Sequence, residues 1–449
     1  MTTNTTVFTF IVEFFIFSVL NSCLNIDKVK RYVNKLSLRK IFFYTTIFYL
    51  AIISFLKFEV GDVMLFSSAG KYLKNRIDFY WIDSNHSQYP FFPFLIFFHA
   101  ILNTLSEKFT FFSFSHYLKI FLLIPAFYLI IKIIYTDLKK QSKVNPKLAI
   151  LKFITSPIVY CVVLFHGQID VILLALFMLS SRFVISRQRN WRQLVTGAIL
   201  YALSIASKTW SILFLPAIIV FQRNAYLSSS LLLIVIICLM ANIYIYTRYV
   251  FGSSFSTVIP ALSKPGGPVG VWGISYLLPL NFNSLQLFKR YSIYLFGALF
   301  GLIQLILIRY FNLLGKVKDC LSLKRIKNYF NYKLIKHLSF RDNYSIGNYF
   351  EYCFLTVVGI YIVIPNWGIQ YLFWVLPFLF YSVNLLENQR TNNYMLIANL
   401  YCMASYLNIA ANESIISESL VNLLGFSLWC YCIYWFSVNI LRLKSKTIG

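Results

Sequence analysis

The sequence predicts an all-α polytopic membrane protein with about 12 (11–13) transmembrane helices and a long first outer loop. Three observations lead there. Of 449 residues, 59% are hydrophobic and only 12% charged, against roughly 45–50% and about 25% in ordinary soluble domains. Mean hydropathy is +0.68. Apolar runs near the ~20 residues needed to cross a bilayer recur between polar breaks. A soluble chain so composed lacks the polar surface to cover its core. Disorder, a disulfide scaffold and a soluble enzyme are excluded as descriptions of the whole.

The elements follow in order. Residues 7–24 are apolar but carry Glu13, so this run either spans or lies in the interface. It lacks a basic n-region and a small-residue cleavage site, and no removed signal peptide is expected. A basic stretch, 26–40, precedes the first expected span at 41–57. Others follow at 117–135, 148–165, 169–185, 193–207, 209–222, 226–247, 291–309, 347–364, 370–387, 392–411 and 418–440. The whole chain, 1–449, reads as one integral membrane domain without an internal repeat.

Charge sets the sidedness. Of 41 Lys and Arg, 28 fall on the side of residues 26–40 and 11 on the other, with Lys132 and Lys152 inside spans. Basic residues concentrate in cytoplasmic loops, so 26–40 is cytoplasmic. The same rule absorbs the net charge of +26, which in a soluble protein would suggest nucleic acid. Membrane lipids are the expected partners here, and no nucleic acid. Residues 90–104 look helical, but a crossing there would put Lys139, Lys140, Lys143 and Lys147 outside. They are read as a re-entrant or interfacial helix within one outer loop, 58–116. A second outer loop covers 248–290, and the basic cytoplasmic loop 310–346.

Unusual polar residues collect on the outer face. Glu59 and Asp62 follow the first long span, and Tyr89-Pro90-Phe91-Phe92-Pro93 lies further along that loop. His166-Gly167-Gln168-Ile169-Asp170 and Ser207-Lys208-Thr209-Trp210 mark two outer turns. Trp272, Trp367 and Gln370 come later. A carboxylate at a helix end can deprotonate a hydroxyl. Lys208 and His166 can support a leaving phosphate, since a charged donor acts more strongly in a partly dry site. Each residue also has a structural reading. Asp62 can cap its helix, His166 can be a plain hydrogen-bonder, and Lys208 can snorkel to headgroups. The Pro90–Pro93 pair suits a helix start, and Trp272, Trp367 and Trp374 suit an aromatic belt. Asp170 lies one turn inside a span, where an acid is expensive.

No Walker loop, HExxH, GxSxG or His/Cys cluster is present. The eight cysteines are scattered, and Cys430 and Cys432 have no His or acid nearby, so they read as buried small hydrophobes. No cofactor is expected. A divalent metal held by carboxylates has little sequence support.

The order of these landmarks resembles the GT-C superfamily of integral-membrane glycosyltransferases. Gly61-Asp62-Val63-Met64-Leu65-Phe66 is similar to the Asp-x-Asp region of the mannosyltransferase that begins GPI-anchor assembly, with Met64 in place of the second acid. Tyr89-Pro90-Phe91-Phe92-Pro93 looks like the Tyr-Pro-Pro element of several families. The 166–170 and 207–210 turns with Pro216 resemble paired helix ends of known members. Gln370-Tyr371-Leu372-Phe373-Trp374 with Pro377 resembles a Gln-Tyr-x-x-Trp stretch near the end of such enzymes. The resemblance covers about 60 to 380.

It implies an inverting hexosyl transfer, mannose foremost, from a polyprenyl-phosphate-linked sugar donor to a lipid or glycan acceptor on the extracytoplasmic face. Asp62 would be the general base, with Glu59 as the alternative. His166, Lys208 and then Arg248 would support the donor phosphate, while Gln168, Asp170 and Gln370 position sugar or acceptor. The expected location is a bacterial plasma membrane, with the endoplasmic reticulum membrane as alternative. A transporter or flippase, which tends to bind near the midplane and use inverted repeats, and a glycan polymerase are the rival readings.

Overall fold

Among the residues that the computed structural model describes, every regular element is helical; these are 3–56, 61–83, 91–140, 145–185, 191–222, 225–262, 272–277, 282–311, 313, 346–365, 367–380 and 389–448. The first helices are α1 (Thr3–Cys23), α2 (Asp27–Lys35), α3 (Leu38–Phe55), α4 (Gly61–Lys74), α5 (Phe79–Asp83) and α6 (Phe94–Lys108). Then come α7 (Phe114–Leu138), α8 (Pro146–Ile154) and α9 (Pro157–His166). They are followed by α10 (Asp170–Val184) and α11 (Trp191–Ser207), and by α12 (Thr209–Phe221). Next are α13 (Ala225–Tyr249), α14 (Phe255–Leu262), α15 (Gly273–Leu277), α16 (Phe282–Tyr310) and α17 (Ile346–Val363). The last are α18 (Ile369–Leu379), α19 (Gln389–Ala411) and α20 (Glu418–Ile448).

Eight of these are long and apolar enough to cross a membrane: α1, α3, α7, α13, α16, α17, α19 and α20. A ninth forms if α8 and α9, bent by 46° at their break, count as one. The chain is therefore a multi-pass, all-α integral membrane protein, and the described residues fall short of the twelve spans expected. The difference has two sources. Residues 7–24, left open by the sequence, belong to the span α1. Four expected spans, 169–185, 193–207, 209–222 and 370–387, are covered by described helices of fewer than 18 residues: α10 has 15, α11 has 17, and α12 and α18 are shorter apolar helices, with 381–387 lying outside the described residues.

Local chemistry explains the breaks. Asn145 caps α8 by accepting from the Lys147 and Leu148 amides, with Pro146 at the first helical position. Ser156 and Pro157 end α8 and restart the chain as α9, because proline disfavours a helical residue before it. The last part of α9, Tyr160–His166, is wound as a π-helix and closes on Gly167 at φ +76°. That left-handed turn suits glycine. A Cβ there would stand 3.2 Å from Val63 Cγ2 and 3.3 Å from Lys119 Cε.

At the centre lie α10 and α11, an antiparallel hairpin. Ser204 Oγ donates to the Leu173 carbonyl at 2.8 Å and Ser180 Oγ to the Gly197 carbonyl at 2.7 Å, so residue numbers rise on one helix as they fall on the other. The backbones close in at Gly197, where a Cβ would be 2.5 Å from Val184 Cγ2. Asp170 to Ala175 are all buried, and the hairpin carries Asp170 and Lys208 to the same end. Helices α4 and α6 pack against each other in the segment read as the first outer loop; neither is among the candidate spans.

Candidate functional site

Two carboxylates organise the polar end of the bundle. Asp62, in the first turn of α4, accepts from the Gln168 amide nitrogen at Oδ2. The same nitrogen lies 2.7 Å from His166 Nε2, which is itself 3.6 Å from Asp62 Oδ2. On the other side of the ring, Nδ1 is 2.8 Å from the Tyr406 hydroxyl. His166, Gln168 and Tyr406 are buried, while the Asp62 side chain is 47% exposed. The turn geometry explains the convergence: Gly167 reverses the chain after His166, and the Gln168 amide returns to the Val162 carbonyl at 3.0 Å. His166 and Gln168 thereby project to one spot.

Burial acts to raise the Asp62 pKa, but the nearby His166, the Gln168 amide and the Lys208 ammonium outweigh it. The carboxyl is held below the ordinary aspartate range, because each of these groups favours its charged form.

Asp170 is placed differently. It is fully buried, pairs with Lys208 Nζ at 2.7 Å through Oδ2, and accepts at Oδ1 from Trp374 Nε1 at 2.6 Å and Trp210 Nε1 at 3.3 Å. The two indoles stack at 3.2 Å between centroids. The Lys208 ammonium also lies 5.5 Å from the Phe91 ring and 5.8 Å from the Tyr371 ring. Such a set neutralises a buried charge on every side.

The sequence expectations sort accordingly. Asp62, His166 and Gln168 are brought into contact, and Asp170 with Lys208 form the neighbouring cluster. Lys208 does not snorkel: it is buried and ion-paired. Arg248 lies exposed on α13 over the Tyr244 ring at 5.1 Å, with no contact to the cluster among the described residues. Gln370 is half-buried, its amide within 2.7 Å of where a Gly368 Cβ would sit; its neighbour Tyr371 is the residue that reaches Lys208. Glu59, Tyr89 and Pro90 lie outside the described residues. Among those described, no group of three or more His, Cys, Asp or Glu could hold a metal ion.

The aromatic-belt reading of the three tryptophans is overturned. Trp374 is buried against Asp170, and Trp272 and Trp367 are buried and stacked face to face at 3.5 Å with planes 2° apart. Trp272 Nε1 donates to the Tyr361 carbonyl at 2.7 Å and Trp374 Nε1 to Asp170 Oδ1 at 2.6 Å.

Two residues escaped sequence reading. Lys119, counted there among the outer-face lysines, is buried in α7 and donates to the Phe165 carbonyl at 3.2 Å, next to the turn that presents His166. An ionisable residue at the edge of an apolar run was the available signal. Tyr406 had none, being one of 32 tyrosines. The chain matches no family model, no curated protein and no solved structure.

Proposed function

We propose that this chain is an integral-membrane glycosyltransferase of the GT-C type, moving a hexose, mannose foremost, from a polyprenyl-phosphate-linked donor to a lipid-linked or glycan acceptor on the extracytoplasmic face. The observation that carries the reading is Asp62. It is an ionised, half-exposed carboxylate, backed by a buried imidazole and amide, at the end of a bundle long enough to sit in lipid.

In this reaction the acceptor oxygen attacks the anomeric carbon with inversion. Its O–H proton passes to Asp62, a new C–O bond forms, and the bond from that carbon to the donor phosphate breaks. The electron pair leaves with the lipid phosphate. A strongly ionised carboxylate is a weak base in isolation, since a general base works best with its pKa near the working pH. An anionic donor beside Asp62 would raise its pKa by like-charge repulsion, so the base would strengthen when the donor arrives. Lys208 and His166 are the groups available to support the leaving phosphate, with the charge of Lys208 shared with Asp170.

The test uses purified protein in lipid with labelled polyprenyl-phosphate sugars and, as controls, nucleotide sugars. Transfer from a prenyl-linked donor is expected, and Asp62→Asn should lower it by roughly 100-fold or more while leaving the protein folded. Transfer that survives the substitution moves the base to Glu59. No transfer with any donor, together with flipping of the lipid in proteoliposomes, replaces the reading with a transporter.

A further inference from the structure

The ring of Tyr371 is held from several sides while its hydroxyl is unused. Its amide donates to the Gly368 carbonyl at 2.9 Å, and its carbonyl accepts from the Tyr361 hydroxyl. The ring packs on Trp374 at 4.2 Å between centroids and stands edge-on to Trp367 at 5.6 Å. The residue is half-buried, and its hydroxyl makes no hydrogen bond among the described residues. Two neighbours share this lack. The Lys208 ammonium carries three protons and gives one hydrogen bond among the described residues, to Asp170; it lies 5.8 Å from the Tyr371 ring. One end of the Gln168 amide meets Asp62 and His166, and the other is buried without a partner, whichever way the amide is turned. Asp170 and Asp62 both act electrostatically on the phenol. Polar groups withdrawn from water and left unpaired cost free energy, and three of them beside two carboxylates mark a place that a ligand completes.

We propose that Tyr371 is a specificity-determining residue whose hydroxyl bonds one hydroxyl of the donor's hexose. The inference rests on the transferase reading for the sugar being the donor's. The class of ligand follows from the groups themselves. An anion placed against the phenol would meet the charges of Asp62 and Asp170 together, whereas a neutral hydroxyl is not repelled. Phenol, ammonium and amide can be met at once only by a small ring bearing several hydroxyls, which both donate and accept; a lipid chain has none. The aromatic surroundings fit the same ligand. Trp210 is half-buried and stacked on Trp374 at 3.2 Å, and with Tyr371 it offers apolar faces to the C–H side of a sugar, beside a few placed polar groups. The donor side is indicated because Tyr371 stands by Lys208, the cation assigned to the leaving phosphate. Asp170 is saturated by its own partners, so the task of reading a sugar hydroxyl passes from it to Tyr371.

The test is a binding cycle on the full-length protein in lipid nanodiscs, comparing wild type with Tyr371→Phe. The probes are short-chain polyprenyl-phosphate mannose, glucose and galactose, and, for whichever binds most tightly, its monodeoxy analogues, one for each free ring hydroxyl. In the wild type, removing one particular hydroxyl should weaken binding about ten-fold, the loss of a single hydrogen bond. Tyr371→Phe should weaken the parent donor by the same factor and bind that one analogue as well as the wild type does. The other analogues should lose equally in both proteins. Because the hydroxyl has no partner in the protein, Tyr371→Phe should unfold at the wild-type temperature. A parent donor bound equally by both proteins, or a variant that weakens every analogue alike, overturns the proposal. Binding requires no turnover, so the two readings fail separately. The expected cycle without any sugar transfer keeps the hexose site and removes the transferase, while binding of polyprenyl phosphate alone, unimproved by any sugar, removes the hexose site.

Discussion

Asp62 and Asp170 stand at the same end of the bundle, and their surroundings are opposite in kind. Asp170 is dry and saturated: one ammonium and two indole N–H groups use both of its oxygens. Asp62 is half open, and its partners are an amide and an imidazole that can exchange roles. A carboxylate surrounded by rigid donors holds structure together, because moving any one partner leaves a buried charge unmet. A carboxylate with one side open can receive a proton and give it up. On the transferase reading proposed above, the contrast favours Asp62 over Asp170 as the group that takes part in chemistry, although the sequence offered both as site residues.

The largest expected effect breaks the frame. Lys208→Ala leaves Asp170 charged and buried and should destabilise the protein by about 3–5 kcal/mol, measured by unfolding in mixed micelles. Adding Asp170→Asn should recover much of that loss. A Lys208→Ala protein as stable as wild type would mean that the pair is not what holds the α10–α11 hairpin end.

A third buried group sharpens the comparison. His99 on α6 is fully buried between Phe66 and Phe114, with neither ring nitrogen hydrogen-bonded. Burial pushes its pKa down from 6.5 to about 3. The unfolded chain takes up a proton below pH 6.5 that the folded protein refuses, so stability should fall as pH drops from 6.5 toward 3. The slope is up to about 1.4 kcal/mol per pH unit. In His99→Leu that slope should vanish from the unfolding free energy measured across this range. A slope that persists would place its source in another group.

The smallest effect belongs to Asp62. Its folded pKa lies below the ordinary value of 3.8, so the stability it contributes is present above pH 3.8 and is lost as pH falls through the folded value. Half exposure screens the interaction, and the contribution should stay under about 1 kcal/mol. Asp62→Asn should therefore unfold at nearly the wild-type temperature at neutral pH, with the two converging further below pH 3.8. A large loss of stability in this variant would return Asp62 to the frame.

Composition and the apolar runs determined that the chain is helical and crosses a membrane many times, since no soluble fold can bury so much apolar side chain. The residue types of the site were legible as well. An acid after the first long span, His166-Gly167-Gln168-Ile169-Asp170 and the Ser207–Trp210 turn stood out because polar groups are costly in such surroundings. Only the tertiary structure decided which groups meet. It showed the described parts of α10, α11, α12 and α18 to be shorter than the eight long candidate spans, a distinction of helix length that hydropathy does not carry. It turned Lys208 from a headgroup contact into an ion pair, moved three tryptophans from the expected interface into the core, and brought Tyr406, 240 positions along the chain, to His166. Such contacts are set by how helices from distant parts of the chain pack, and hydrogen-bond geometry exists only once they have packed.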